Sequence, residues 1–304
     1  MPNMLMVFLV FFVSCTWAVE QAPDLLSEEQ ERKVEEYRQE VELGRNMAGR
    51  ILQYYGTYGD EELIRYVNRV GLYVGEYADF PNRVYHFTVL DTDVVNAFAC
   101  PGGYILITLG TIKNLKNEAE LAAVLGHEIT HVGKKHIFTT LQKMGESEQE
   151  EAAKRVGEAG FLDDIIENRK RPSSDYSSDT GAILARYLSG AAGAGISLIK
   201  AASAGMFLIL EKGLDKKLEF EADEEGVQFA INAGYEPFAM ANFLERVEKN
   251  KGKLNVKILE KTHPKMSDRR DQVQALLKRI RAREMIGAEV EDRFRKYTAK
   301  LTTK

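Results

Sequence analysis

The string Gly126-His127-Glu128-Ile129-Thr130-His131 carries the residue types of a metal-dependent hydrolase. On a helix His127 and His131 stand at i and i+4, so both imidazoles leave one face about a turn apart. That spacing suits two ligands of one tetrahedral zinc ion, with bonds near 2.0–2.1 Å. Glu128 projects beside them, within reach of a zinc-activated water but without ligating the metal. A carboxylate there can take the water's proton and pass it to a leaving amine. His-Glu-x-x-His on a helix is thus the pattern of a zinc peptidase. A catalytic zinc needs a third protein ligand and one open position. No further histidine follows at the spacing His-x-x-Gly-x-x-His, and His136 is rotated off the ligand face, either for packing or for outer support. Leu218-Glu219-Phe220-Glu221-Ala222-Asp223 offers a carboxylate instead. Glu219 and Asp223 share a helical face, so Glu219 could ligate while Asp223 holds a ligand imidazole in one tautomer.

These groups need elements to position them. Asn117 followed by Glu120 reads as a capping box opening an amphipathic helix through Leu121, Val124, Leu125 and Val132. Residues 215–233 form a second helix, closed by Gly234 and Pro237. Ahead of them, residues 27–55 and 61–77 read as helices. Residues 84–89, 94–99 and 104–109 then read as three short strands, separated by Asp91-Thr92-Asp93 and Pro101-Gly102-Gly103. The fold class expected is α+β, mainly helical and zincin-like, with a small antiparallel β-meander. Residues 145–180 read as a polar connection and 181–210 as a buried helical pair, the stretch between His131 and Glu219 carrying a lid or plug. The tail from Ser267 reads as a solvated helix, and His86 as structural.

Four separated stretches in order bear a family likeness. They are residues 95–104 (Val-Asn-Ala-Phe-Ala-Cys-Pro-Gly-Gly-Tyr), Glu120 to His131, Glu219-x-x-x-Asp223, and Thr262-His263-Pro264 with Arg269. From about Gly44 to Arg270 the sequence resembles the zinc metallopeptidases related to HtpX and the CAAX prenyl endopeptidases. Within these HExxH gluzincins it is nearest the soluble periplasmic branch of BepA and LoiP. The resemblance implies one Zn2+ per chain on His127, His131 and Glu219, with Glu128 as general base. It implies that the strand carrying Asn96, Ala97 and Phe98 is the edge on which a substrate peptide pairs. It also sets His263 close to the metal, as an oxyanion donor or a fourth ligand, with Asp223 and Arg269 behind; Arg269 is expected to tie the His263 loop down. Cys100 stands where relatives carry a small or aliphatic residue, and a thiol near zinc could oxidise or bind stray metal. The transmembrane helices of the HtpX branch and the repeat domain of the BepA type are not expected.

Composition fits. Of 304 residues, 44% are apolar and 29% charged, enough for a core. With 41 basic against 46 acidic residues the net charge is -5, so nucleic acid is not an expected partner. Neither is an organic cofactor. Two cysteines, Cys15 and Cys100, build no disulfide framework. The uncharged apolar run from Met4 to Val19 reads as a signal peptide over residues 1–18, followed by one metallopeptidase domain over 20–304. Thr16-Trp17-Ala18 offers an ordinary cleavage site. Phe12-Val13-Ser14-Cys15 offers the lipoprotein alternative, in which Cys15 is acylated and the protein associates with the outer membrane. Either places the chain in the periplasm. The expected activity is endoproteolysis of misfolded or misassembled envelope proteins; the alternative is a zinc-containing, chaperone-like protein that binds such clients with little proteolysis.

Overall fold

The computed structural model describes residues 27–80, 83–145, 147–148, 151–152, 204–206 and 208–301. The signal and lipoprotein readings, the polar connection around Pro172 and most of residues 181–210 lie outside them. The chain divides into two compact units, Met1–Arg38 and Gln39–Lys304. Over its described residues the first is the start of helix α1 (Glu28–Tyr55), along which Arg32 pairs with Glu29 and Arg38 with Glu35. The rest of α1, the sheet and the later helices belong to the second. Among the described residues no helix is long and apolar enough to cross a membrane.

Helix α2 (Glu61–Glu76) starts where Asp60 accepts the amides of Glu62 and Leu63. Three strands follow, β1 (His86–Leu90), β2 (Ala97–Cys100) and β3 (Tyr104–Thr108). The sheet order is β1-β3-β2, with β1 parallel and β2 antiparallel to β3. The expected antiparallel meander is therefore a mixed sheet. The reason lies in residues 91–96, which cross to the far side of β3 instead of turning back. There Val95 N–H bonds Asn255 O (2.8 Å), and Asn96 C=O accepts both Thr108 N–H (3.1 Å) and the Thr111 hydroxyl (2.7 Å). The outer edge of β1 is taken up by residues just after α1, through Tyr58 N–H to Val89 O (2.9 Å) and Asp91 N–H to Gly56 O (3.1 Å). Among the described residues, that leaves β2 as the other edge strand.

The turn between β2 and β3 needs glycine, since Gly102 and Gly103 have φ of 71° and 104°. Buried Glu40 fastens it to α1 by accepting Gly102 N–H (3.1 Å) and Arg83 Nη1–H (2.5 Å). Along β2 and β3 the side chains alternate between two cores. Ala97, Ala99, Ile105 and Ile107 face one, with α2, while Phe98, Cys100 and Leu106 face the other, with Leu43, Met47 and Ile51 of α1.

Helices then dominate: α3 (Leu109–Asn114), α4 (Glu118–Gly133), α5 (His136–Lys143), α6 (Lys216–Asn232), α7 (Ala239–Asn250), α8 (Lys257–Thr262), α9 (Met266–Arg279) and α10 (Glu291–Thr298). Asn117 caps α4 by accepting Glu120 N–H (2.9 Å). The reciprocal half of the expected box is missing, because Glu120 accepts Lys116 N–H and pairs with Arg246 instead. Nor is α4 amphipathic. Every residue from Glu118 to Val132 is buried, since α2, α6, α7, α10 and the sheet surround it. Helix α9 is not merely solvated either, for it buries Met266, Arg269, Val273, Leu276 and Leu277.

Helices α4 and α6 touch backbone to backbone. A Cβ on Gly126 would stand 2.5 Å from Gly226 O, and one on Gly226 would run into the His127 amide nitrogen. Gly226→Ala should therefore destabilise the protein by about 1–3 kcal/mol or more, through overpacking that has only backbone to push against. Urea denaturation reads this; a neutral substitution would mean that the helices are not so close.

At the start of α4, Glu118 is fully buried. It accepts the hydroxyls of Tyr66 and Tyr235 (both 2.8 Å) and both arms of Arg293 from α10. Burial pushes its pKa up, but Arg293 and the two hydroxyls outweigh this and hold it below the usual glutamate value. Arg293→Ala should cost about 1–2 kcal/mol at neutral pH, at the low end because Arg293 is half exposed and the tyrosines stay. A depressed carboxyl contributes above its unfolded pKa of about 4.3 and stops contributing as pH falls through the folded value. The gap between wild type and variant should thus close in acid.

Candidate metal centre

The capped, buried helix α4 presents His127 and His131 one turn apart, as their spacing predicts. Their Nε2 atoms lie 3.0 Å from each other. Helix α6 brings Glu219 across, with Oε2 3.6 Å from His127 Nε2 and Oε1 3.6 Å from His131 Nε2. After α8, Thr262-His263 returns to the same point, and His263 Nε2 stands 3.3 Å from Glu219 Oε2. Ligand atoms of His127, Glu219 and His263 all fall within 4.8 Å of one another. Zinc ligands at 2.0–2.1 Å in a tetrahedral array stand roughly 3.3 Å apart, so the set matches a shared cation. Glu219 Oε2 is buried and accepts no hydrogen bond among the described residues, although imidazole nitrogens surround it. An orphaned carboxylate oxygen facing nitrogen donors is the group a divalent ion would satisfy. These residues fit zinc.

Behind His127 stands a clamp. Its Nδ1 lies 2.9 Å from Asp223 Oδ1, and Arg269 of α9 grips Asp223 by Nη2 to Oδ1 (2.6 Å) and Nε to Oδ2 (2.8 Å). Arg269 thus locks α9 to α6 rather than tying the His263 loop down. That loop is held by the Thr262 hydroxyl, which bonds Ile258 O (2.8 Å) and lies 3.0 Å from His263 Nδ1.

Charge sorts the titratable groups. Burial alone would raise the Asp223 carboxyl, but Arg269 and His127 hold it well below the carboxylate range. Against the same burial, His263, His131 and His127 do likewise for Glu219. For His127 burial acts downward and Asp223 reverses it, raising the pKa to about 9. Burial pulls His263 down to about 4 and His131 well below its usual value. Glu128 is also buried and faces the cleft between these groups; burial lifts it to about 7. A carboxyl poised there can hold or release a proton near neutrality.

The cleft runs from Glu128, His131 and Glu219 to Ala97, Phe98 and Ala99 of β2. Asn96 sits just before that strand. Its backbone is tied to Thr108 and Thr111, while both polar atoms of its buried side chain accept or donate nothing among the described residues. A small pocket on this side joins Asn96 to Glu128, His263 and the apolar Val124, Met240 and Phe243. His86 lies outside the site, exposed and stacked on Tyr104 with ring centroids 5.1 Å apart.

His136 is not among the converging ligand atoms but lies against the back of His131. Lys135 takes a left-handed conformation (φ 56°) that ends α4 and turns the chain back, so His136 opens α5 with its Nδ1 2.9 Å from His131 Nδ1. Gly133 was the one sequence sign of a break there. Cys100 is buried against α1 with no disulfide, and burial first, then the nearby Glu128 charge, drive its pKa far above the usual thiol value. The reactive or metal-binding thiol expected from sequence is thus an inert core residue. In a Cys15→Ser background, Ellman's reagent should find no thiol until the protein is denatured; rapid reaction of the folded protein would contradict this.

Comparison with known proteins shows the family. The model for Peptidase family M48 matches residues 61–279, a stretch that holds all four converging side chains. The Beta-barrel assembly-enhancing protease of Escherichia coli (strain K12) is 25% identical over 209 residues, 69% of this chain and 37% of that protein. Its Yersinia pestis counterpart is 28% identical over 188 residues, 62% and 33% of the two chains. The Mitochondrial metalloendopeptidase OMA1 of Arabidopsis thaliana is 36% identical over 55 residues, 18% of this chain and 11% of that one. The aligned part thus spans little more than a third of the bacterial relatives. On that matched length, the chain belongs to peptidase family M48.

Proposed function

We propose that the protein is a zinc-dependent endopeptidase. The observation that carries the reading is the convergence of His127, His131 and Glu219 on one point, with a buried carboxylate oxygen left without a donor. His127, His131 and Glu219 would hold one zinc ion, which supplies Lewis acidity and a water acidified towards neutrality. Glu128, poised near 7, takes a proton on the cleft side and returns it to the departing amine. His263, neutral near pH 7, can donate to a scissile carbonyl as negative charge grows on it. Asp223 and Arg269 keep His127 in one tautomer and orientation.

The edge strand β2 supports an extended peptide as the substrate. Main-chain pairing along Ala97–Cys100 would bind polypeptide with little dependence on side chains. The unbonded Asn96 amide then has a carbonyl or amide of that peptide as its partner. The cavity beside Ala97 and Glu128 is about 30 Å³, room for a water, and is roofed by Leu208, Ile209 and Leu214. A peptide and this roof compete for one space.

An unfolded or misassembled envelope protein meets these needs, since it exposes extended backbone. The relatives' name points the same way, towards the assembly of β-barrels. The apolar run from Met4 to Val19 supports export to the periplasm, and Cys15 a lipid anchor at the outer membrane. Casein cleavage should accompany about one zinc per chain. Glu128→Gln should lower the rate by about 100- to 10,000-fold while zinc content stays the same. A variant that cleaves at the wild-type rate removes Glu128 as the base. A wild-type protein that holds unfolded clients and cleaves none of them favours the chaperone-like alternative.

A further inference from the structure

His131 and His127 are ligand histidines with unlike supports. His127 leans on a carboxylate that is itself gripped by arginine. His131 leans on another imidazole, with its Nδ1 2.9 Å from Nδ1 of His136. Two imidazole nitrogens at that distance need one proton between them. When Nε2 of His131 faces a cation it must be bare, so the proton of a neutral ring sits on Nδ1. This sets the direction of the bond: His131 Nδ1–H donates and His136 Nδ1 accepts. The proton of His136 then sits on Nε2, and that atom stands 3.4 Å from Glu221 Oε2. Lys134 holds the other oxygen of Glu221 at 3.2 Å and reaches Glu225 at 2.6 Å.

We propose that His136 and Glu221 are positioning residues for the metal centre, a chain in which Glu221 orients His136 and His136 fixes the tautomer and aim of His131. The inference rests on the metallopeptidase reading and extends it to residues outside the ligand set. The local backbone serves the same end. Left-handed Lys135 is what returns His136 to the ligand face, and Lys135 Nζ lies 3.5 Å from buried Glu40. His136 is buried at 3% exposure, so its imidazole has given up water for these two contacts. A histidine there only to fill space would be replaceable by an apolar side chain of like volume. One that accepts a hydrogen bond would not, and Asn, whose amide oxygen falls close to the position of Nδ1, should serve in its place.

The test is zinc affinity of the full chain, measured by competition with a chromophoric chelator, together with the visible spectrum of the Co(II)-substituted protein. His136→Leu should weaken zinc binding by about 10- to 100-fold and alter the cobalt bands. His136→Asn should recover most of that loss, and Glu221→Gln should show a smaller loss of the same sign. Far-UV circular dichroism checks that each variant folds. If His136→Leu does not fold, half-exposed Glu221→Gln decides the matter, and an unchanged affinity there overturns the chain. A folded Leu variant that binds zinc as tightly as wild type, or an Asn variant no better than Leu, also overturns it. A wild-type protein that takes up no zinc is a different result: it removes the metallopeptidase reading itself.

Discussion

The contact of Gly126 with Gly226 is the constraint on which the site depends. Packed helices ordinarily run 8–10 Å apart, and the side chains at the crossing set that distance. Here neither helix has a side chain at the crossing, and backbone meets backbone. Only at such separation can a glutamate on α6 place its carboxylate 3.6 Å from two imidazoles that project from α4. The helical period then does more. Asp223, one turn beyond Glu219, falls on the other nitrogen of His127 without further adjustment. Two glycines distant in the chain thus fix Glu219 and Asp223 against the His127 imidazole together.

Such close approach has a cost in polar groups. A helix buried on every face takes Glu118, Glu120, His127, Glu128, Thr130 and His131 out of water. A buried charge without a partner costs several kcal/mol, so an acid there must be paired or take up a proton. At the N-terminal end Arg293, Tyr66 and Tyr235 serve Glu118, and Arg246 serves Glu120. The helix dipole favours acids at that end as well. At the C-terminal end the partners are Asp223 and His136, each reaching a ring nitrogen that faces away from the cleft. Helices α7, α9 and α10 supply much of this pairing, so the C-terminal part of the chain serves α4 electrostatically as well as by packing.

That the candidate residues on α4 and α6 share faces was legible because helical periodicity is a local property. His127 with His131, and Glu219 with Asp223, need only a 3.6-residue repeat to share a face. His263 and Arg269 follow no local rule and were reached through resemblance to a family. The sheet order was illegible for a related reason: the path of residues 91–96 is set by Asn255 and Thr108, partners that no nearby residue announces. For His136 the spacing left packing and outer support both open, because helical geometry does not carry across left-handed Lys135, two residues beyond Gly133. The amphipathic reading of α4 failed because period shows which residues are apolar, not how many neighbours surround a helix.

The roles of three carboxylates at the centre follow from their partners and not from their type. Glu128, Glu219 and Asp223 are all buried, and burial alone would push every one of them upward. Asp223 escapes because a bidentate guanidinium is fixed on it, so it stays ionised and can only accept from His127. Glu219 escapes because three imidazoles face it. Glu128 lies a residue away from His127 yet has no arginine bonded to it, and burial prevails. It is therefore the carboxyl that can exchange a proton near neutrality, while its two neighbours cannot. Environments that drive like groups apart let one pocket hold carboxyls of unlike protonation. Arg269 does much of this sorting: it bonds Asp223 directly and so fixes His127, while on Glu128 it acts only through its charge and does not overcome burial.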